Sequence, residues 1–154
     1  MKRMSLLLLM LLFFHIGLLA TETFGSPQAP NKVLIATENT RYKRRLIDTV
    51  VEKLNDGSVY ITLVDHKRNQ LEGEDPRDYE AVFISNSGAQ AKVRPWVMEW
   101  LDSVSSYDDN VIIHTTQITD WDPPVQVDSI TSASDNSNID PLSDDIVRRI
   151  RAFF

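Results

Sequence analysis

Residues 32–54 read KVLIATENTRYKRRLIDTVVEKL, and this stretch decides the fold class of the chain. It opens on the apolar run from Val33 to Ala36, which is typical of a strand buried on both faces of a sheet. From Thr40 to Leu54 the apolar residues recur at helical spacing, and this spacing predicts a helix with one buried face. A buried strand that leads directly into an amphipathic helix is the first half of a β–α–β unit, whose second strand runs parallel to the first.

The same alternation of strand and helix patterns continues to the end of the chain. Further strands are predicted over residues 59–64, 81–84, 111–113 and 127–133. A second helix is predicted over residues 93–104, with Pro95 in its first turn. A third helix is predicted after Ser143, which we expect to cap it together with Asp144 and Asp145. Since strands and helices alternate, the chain is predicted to be an α/β protein with a mostly parallel sheet.

The polarity of the predicted strands indicates their order in the sheet. The first, third and fourth strands are uniformly apolar, as central strands covered on both faces are. The second strand contains Tyr60 and Thr62, and the fifth contains Asp128, Ser129 and Thr131, which suits the edges of a sheet. We therefore expect a three-layer, doubly wound, parallel five-stranded sheet in the order 2-1-3-4-5, rather than the order 3-2-1-4-5 of many dinucleotide-binding domains.

The first 25 residues have the layout of a secretory signal peptide. Lys2 and Arg3 precede an apolar run from Leu6 to Ala20, and small or turn-forming residues follow. The run is shorter than the roughly 20 apolar residues that a membrane-spanning helix needs. We therefore expect cleavage within residues 20–25 and export to the periplasm or the medium. The alternative is an N-terminal membrane anchor that stays uncleaved.

Residues 21–31 are polar and include Pro27 and Pro30, so we expect them to lie outside the fold. Residues 26–31 are then a short tether, and the domain spans residues 32–154. The chain has no cysteine, which excludes disulfide bonds. Its formal net charge is −6, which argues against nucleic acid as a partner.

Ligands of such a sheet bind beyond the carboxyl ends of the strands, near the point where the strand order reverses. In this chain that point is formed by the loops after the first, third and fourth predicted strands. The candidate binding residues in these loops are Thr37, Asn39, Thr40, Ser85, Asn86, Ser87, Gly88, Thr115, Thr116 and Trp121.

Four basic residues stand at the start of the first helix, namely Arg41, Lys43, Arg44 and Arg45. Cations at a helix N-terminus oppose the helix dipole, so a further interaction should favour them there. A bound phosphate or other small anion would supply it, since helix N-termini bind anions. The alternative is a solvated basic face that neighbouring acidic residues fix.

The chain resembles the flavodoxin-like family, whose first loop commonly reads Thr/Ser-x-Thr-Gly-Asn-Thr and wraps the phosphate of flavin mononucleotide (FMN). Residues 36–42 (ATENTRY) are similar to this loop and keep its Asn-Thr pair at the helix start. The resemblance continues through residues 79–85 (YEAVFIS), 111–116 (VIIHTT) and 127–134 (VDSITSAS). It implies a flavodoxin-like fold, FMN as the cofactor, and Thr37, Asn39 and Thr40 as its phosphate contacts.

The chain departs from the family pattern at two points. Glu38 replaces the loop glycine, and a carboxylate at this position would repel a phosphate. The flavin ring of the family usually stacks on aromatic residues of the later loops, and here these loops offer Trp121 alone. Two hypotheses follow. The domain binds a small anion or a protein partner without flavin, or it is an FMN-binding electron-transfer or flavin-reductase-type domain.

The other polar and aromatic residues point to no specific chemistry. His66 and His114 stand at strand ends without a metal-binding spacing, and we interpret them as polar strand termini. Trp96 and Trp100 lie one helical turn apart, which favours a role in the core. We assign no catalytic residue and leave open whether the chain is an enzyme.

Overall fold

The computed structural model describes residues 21–68, 70–88, 92–118 and 122–154. Within these ranges the chain forms a mostly parallel sheet of six strands and three α-helices. The strands are β1 Glu22–Phe24, β2 Asn31–Thr37, β3 Val59–Asp65, β4 Ala81–Ser87, β5 Val111–Thr116 and β6 Asp128–Ser132. The helices are α1 Arg41–Leu54, α2 Pro95–Val104 and α3 Ile139–Arg151.

The sheet order is β1-β3-β2-β4-β5-β6, and all pairs except β1–β3 are parallel. The five parallel strands therefore have the predicted order 2-1-3-4-5. In the register of the central strands, Thr37 pairs with Ser85, and Ser85 pairs with His114. The carboxyl ends of β2, β4 and β5 consequently lie side by side, and the predicted binding residues Thr37, Ser85 and Thr116 stand at these ends.

The sixth strand corrects the expectation that residues 21–31 lie outside the fold. β1 pairs antiparallel with β3, and Phe24 packs against the hydrophobic core. The polar residues of β3 predict an edge strand. This prediction is wrong, because β1 lies outside β3 and pairs with it. The polar character of residues 21–31 was misleading because a three-residue edge strand needs only one inward-facing apolar side chain.

The two faces of the sheet carry different helices. Because side chains alternate along β2, Val33 and Ile35 face one side while Leu34 and Ala36 face the other. The α1 and α3 helices pack on the first side, and α2 packs on the second. Between β3 and β4 the described residues form only short 3₁₀ turns. In the described part of the chain, the second side therefore has one helix, α2, beside an irregular segment.

The helix starts agree with the sequence in two cases and differ in the third. Thr40 caps α1 by accepting a hydrogen bond from the Lys43 N–H at 3.3 Å, and Pro95 opens α2. The final helix begins at Ile139, so the prediction that Ser143 caps it is wrong. Ser143 is buried inside α3, where its hydroxyl donates to the Asp140 carbonyl. The serine and acidic residues resemble a cap, but the buried apolar face already includes Leu142.

Candidate functional site

The carboxyl edge of the central strands holds a group of buried polar side chains, which we call the edge cluster. It brings together residues that come from β2, β4, β5 and the loop after β2. Its members are Thr37, Glu38, Ser85, Asn86, His114, Thr115 and Thr116, to which the Lys43 side chain is added from α1. Buried polar groups are unfavourable unless they are hydrogen-bonded, so the partners of these residues decide what the site can bind.

Glu38 forms an internal ion pair at this edge. Its side chain is only 1% exposed, and its carboxylate accepts a hydrogen bond from Arg94 Nε at 2.9 Å and from Ser87 Oγ at 2.5 Å. Burial alone would raise the pKa of Glu38. The hydrogen bonds from Ser87 and Arg94, with the Arg94 charge, nevertheless lower it below its usual value. The edge cluster therefore contains a fixed negative charge of its own.

Lys43 is buried and does not belong to an exposed basic face. Its Nζ donates to the Asn86 carbonyl at 2.7 Å and to Ser85 Oγ at 3.2 Å. Burial lowers the pKa of Lys43 to about 7, against the opposing effect of the Glu38 charge. The prediction of a solvated basic face is therefore wrong for Lys43, whose ammonium group is bonded inside the protein. Its position on α1, one turn before Leu46 and Ile47, places it on the buried helix face.

The other three basic residues remain at the surface. Arg44 pairs with Glu22 of β1 at 3.0 Å and with Asp48 at 3.4 Å, so acidic neighbours fix it. Arg41 and Arg45 are exposed, and no ion pair to either is found among the described residues. Of the four basic residues at the start of α1, Arg41 and Arg45 are thus the two that are exposed and have no acidic partner among the described residues.

His114 lies inside β5 and is fully buried. Its Nδ1 is 3.1 Å from Ser85 Oγ, and its Nε2 is 2.8 Å from Ser132 Oγ. Burial, aided by the nearby Lys43 charge, lowers the pKa of His114 to about 3, so the ring is neutral at physiological pH. Since Lys43 donates to Ser85 Oγ, the serine hydroxyl is free to donate to Nδ1. The ring then carries its proton on Nε2.

His66 is also buried rather than a solvated strand terminus. Its Nδ1 accepts from Trp96 Nε1 at 2.9 Å, because the indole nitrogen is only a donor. Its Nε2 then donates to the Ser85 carbonyl at 3.0 Å. Burial lowers the pKa of His66 overall, although the Ser85 hydrogen bond acts in the opposite direction. This neutral ring connects the edge cluster to α2.

The remaining predicted residues differ in their exposure and in the roles that the structure gives them. The Gly88 N–H donates to the Thr116 carbonyl, and a Cβ at Gly88 would lie 3.1 Å from that oxygen, so close packing of two loops favours glycine. Asn39 and Thr40 are exposed, and Thr40 serves as the α1 cap. Trp121 lies outside the residues that the structure describes.

Two atoms of the edge cluster have no protein partner in the described part of the chain. They are Asn86 Nδ2 and Thr115 Oγ1, and both are buried. The Asn86 Oδ1 atom, in contrast, accepts from the Arg94 backbone N–H at 3.2 Å. Within the edge cluster as the structure describes it, these two groups remain able to form hydrogen bonds with a small polar ligand.

Arg94 belongs to the site, although it was not among the predicted binding residues. A signal for it exists, because Arg94 stands at the N-cap of α2, where a cation opposes the helix dipole. The same reasoning drew attention to Arg41, Lys43, Arg44 and Arg45. At Arg94 the compensating anion is Glu38 from the chain itself.

A cavity of about 440 Å³ lies between α2 and the segment that follows β3. Its walls include His66, Leu71, Trp96 and Trp100, and its rim includes Glu72, Glu99 and Ser103. Trp100 is buried, as predicted, whereas Trp96 is half-buried.

Among the described residues, no three acidic or histidine side chains are placed to hold a metal ion. None of the helices within those residues is long and apolar enough to span a bilayer.

No model of a known protein family matches the chain, and no curated protein sequence matches it. Several solved structures have the same architecture. A flavodoxin from the domain Archaea aligns with a TM-score of 0.57 and 10% identity, over 79% of this chain and 98% of the flavodoxin.

Rubredoxin oxygen:oxidoreductase from Desulfovibrio gigas aligns with a TM-score of 0.55 and 14% identity, over 81% of this chain and 37% of that protein. A flavo di-iron protein from Thermotoga maritima aligns with a TM-score of 0.54 and 10% identity, over 84% of this chain and 36% of that protein. The chain thus spans little more than a third of these two proteins. At such low identity the shared feature is the fold.

Proposed function

From the flavodoxin-like fold of the chain, we propose that it is an exported domain that binds a small anion or a protein partner and carries no flavin. The observation that supports this proposal is the internal ion pair of Glu38. In place of a loop glycine the chain has a carboxylate, which turns inward and binds Arg94 and Ser87. The positive charge and the hydroxyl that a phosphate would need are therefore already used.

The electrostatics of the first loop also oppose an FMN phosphate. The lowered pKa keeps Glu38 ionised at neutral pH, so a phosphate in the loop would meet a buried negative charge. Lys43 cannot compensate, because its Nζ binds Asn86 and Ser85 inside the protein. The residues present therefore do not fit the phosphate of FMN.

The exposed cations at the start of α1 support the binding of an anionic group at the surface. Arg41 and Arg45 both point to solvent, next to the exposed Asn39 and Thr40 of the loop. Either a small anion or an acidic patch of a partner protein would neutralise these cations. Loops on a rigid sheet are common places for such binding.

Export is proposed from the N-terminal sequence, and β1 refines where cleavage should fall. Removal of residues 1–25 would delete Glu22–Phe24, which pair with β3. Cleavage after Ala20 would keep this strand. We therefore propose cleavage before Glu22, and mass spectrometry of the protein recovered from outside the cytoplasm tests it. An N-terminus at or beyond Thr23 would contradict it.

The alternative function is that of an FMN-binding electron-transfer or flavin-reductase-type domain. Its support comes from the fold, which a flavodoxin, a rubredoxin oxygen:oxidoreductase and a flavo di-iron protein share. It also has support from Asn86 Nδ2 and Thr115 Oγ1, which are buried without a partner in the described residues. A ligand at the edge of the sheet would satisfy such atoms.

The absorbance spectrum of the protein, purified without added flavin, separates the two functions. We expect no absorbance band in the visible range. Nuclear magnetic resonance (NMR) titration with inorganic phosphate then tests the anion site. We expect shifts at Asn39 and Thr40 that the double variant Arg41→Gln, Arg45→Gln abolishes, while Lys67→Gln, an exposed control, leaves them intact. A yellow protein would support the alternative, and unchanged shifts in the double variant would refute the anion site.

A further inference from the structure

We propose that the cavity between α2 and the segment after β3 is a second binding site, which takes a small organic cation such as a quaternary ammonium group. This cavity is separate from the loops at the edge of the sheet and does not depend on the function proposed for them. Its volume of about 440 Å³ lies within the range of small-molecule sites in proteins. Among the described residues, α2 is the helix that covers this face of the sheet, and the cavity lies between it and the irregular segment after β3.

The hydrogen-bond donors of the cavity side chains are already used inside the protein. Trp96 Nε1 donates to His66 at 2.9 Å, and Trp100 Nε1 donates to the Glu74 carbonyl at 3.1 Å. The His66 Nε2 proton binds the Ser85 carbonyl, and the Ser103 hydroxyl donates to the Trp100 carbonyl at 2.7 Å. An anion in the cavity would therefore find no free side-chain donor on the described wall.

These hydrogen bonds also fix the aromatic rings. Each indole N–H is thus used inside the protein, so ring carbon is what Trp96 and Trp100 can still offer a ligand. The faces of tryptophan rings attract cations more strongly than those of other aromatic residues. Arg94 already lies 5.7 Å from the centre of the Trp96 ring, and its charge is neutralised by Glu38. Arg94 should therefore repel a cationic ligand only weakly.

The charges at the rim favour the same class of ligand. Glu72 and Glu99 are exposed carboxylates at the cavity, and no lysine or arginine is found among the described residues that line it. Among the described residues of this wall, His66 is the one titratable base, and burial keeps its ring neutral. A positive, apolar group would thus contact indole faces and carboxylates together.

Choline serves as the probe, with 3,3-dimethyl-1-butanol as its neutral isostere. In the purified full chain, NMR spectra of the indole N–H groups report binding at Trp96 and Trp100. We expect saturable shifts of both signals with choline and none with the neutral isostere, because the cavity recognises charge as well as shape.

The rim carboxylates provide the matched variants. The double variant Glu72→Gln, Glu99→Gln changes only exposed side chains, so its fold should be preserved. We expect it to weaken choline binding roughly fivefold, whereas Glu52→Gln, an exposed change on α1 across the sheet, has no effect. Absent saturation with choline, equal binding of the neutral isostere, or unchanged affinity of the double variant would each overturn the proposal.

Discussion

Glu38 and Arg94 form an ion pair with an Nε–Oε1 distance of 2.9 Å, although 56 residues separate them in the sequence. The carboxylate is almost fully buried, while the guanidinium is about a quarter exposed. The pair therefore places an ionised acid at the carboxyl edge of the sheet, near which open α/β sheets generally bind ligands.

Removal of Arg94 leaves the Glu38 carboxylate buried without its cation. We expect Arg94→Met to lower the free energy of unfolding by about 3 kcal/mol, measured by urea denaturation at neutral pH. The double variant Glu38→Gln, Arg94→Met should recover part of this loss, because no unpaired charge remains. A stability of Arg94→Met equal to that of the parent would show that Glu38 does not depend on the pair.

The buried Lys43 makes the free energy of unfolding depend on pH above about 7. Its pKa is about 7 in the folded protein and 10.5 when unperturbed, so between these values the unfolded chain binds more protons. The free energy of unfolding should therefore rise with pH above about 7, by roughly 1 kcal/mol per pH unit. We expect Lys43→Met to abolish this rise between pH 7 and 9, and exposed Lys67→Met to retain it. An equal rise in Lys43→Met would contradict the assignment.

His114 also makes the free energy of unfolding rise with pH, but in a lower pH range than Lys43 does. Its pKa falls from 6.5 to about 3 on folding, so the neutral ring stabilises the fold above pH 6.5. This contribution is lost as the pH falls from 6.5 toward 3. We expect His114→Gln to be less stable than the parent at pH 7, since its hydrogen bonds change. Between pH 6.5 and 5 it should lose less stability than the parent, and a steeper loss would contradict the prediction.

The turn after β1 requires a glycine. Gly25 has a φ of 84°, and a Cβ there would lie 2.2 Å from the Val59 carbonyl oxygen. Gly57 has a similar φ of 89° but nothing within 4 Å of the same position, so it is a matched control. We expect Gly57→Ala to lower the free energy of unfolding by about 1 kcal/mol, and Gly25→Ala to lower it by more. Equal losses would mean that β1 does not dock as described.

The order of the parallel strands was predictable because strands buried on both faces are recognisable in the sequence as apolar runs. Val33 to Ala36 and the corresponding runs of β4 and β5 are apolar on both faces, as central strands must be. β1 leaves no such trace, since a three-residue edge strand contributes only Phe24 to the core. The start of α3 was missed because Ser143 resembles a cap while it lies inside the helix.

The sequence was sufficient to predict which strand ends form the candidate site, but not which charged groups pair there. The fold rule correctly located the strand ends that hold Thr37, Ser85 and Thr116. The pairing of Glu38 with Arg94 depends on how α2 packs on the sheet, and no local pattern records it. The burial of Lys43 was readable from helical spacing, but its neighbours Arg41, Arg44 and Arg45 made it look like one of an exposed group.

Equilibrium titration of the purified chain with FMN, followed by quenching of flavin fluorescence, tests the central claim most directly. We expect no saturable binding at micromolar FMN, because the Glu38 carboxylate occupies Arg94 and Ser87 and opposes a phosphate. The Glu38→Gly variant frees both groups and is expected to bind FMN more tightly than the parent. Saturable binding of FMN by the parent chain at micromolar concentration would contradict the claim that this domain carries no flavin.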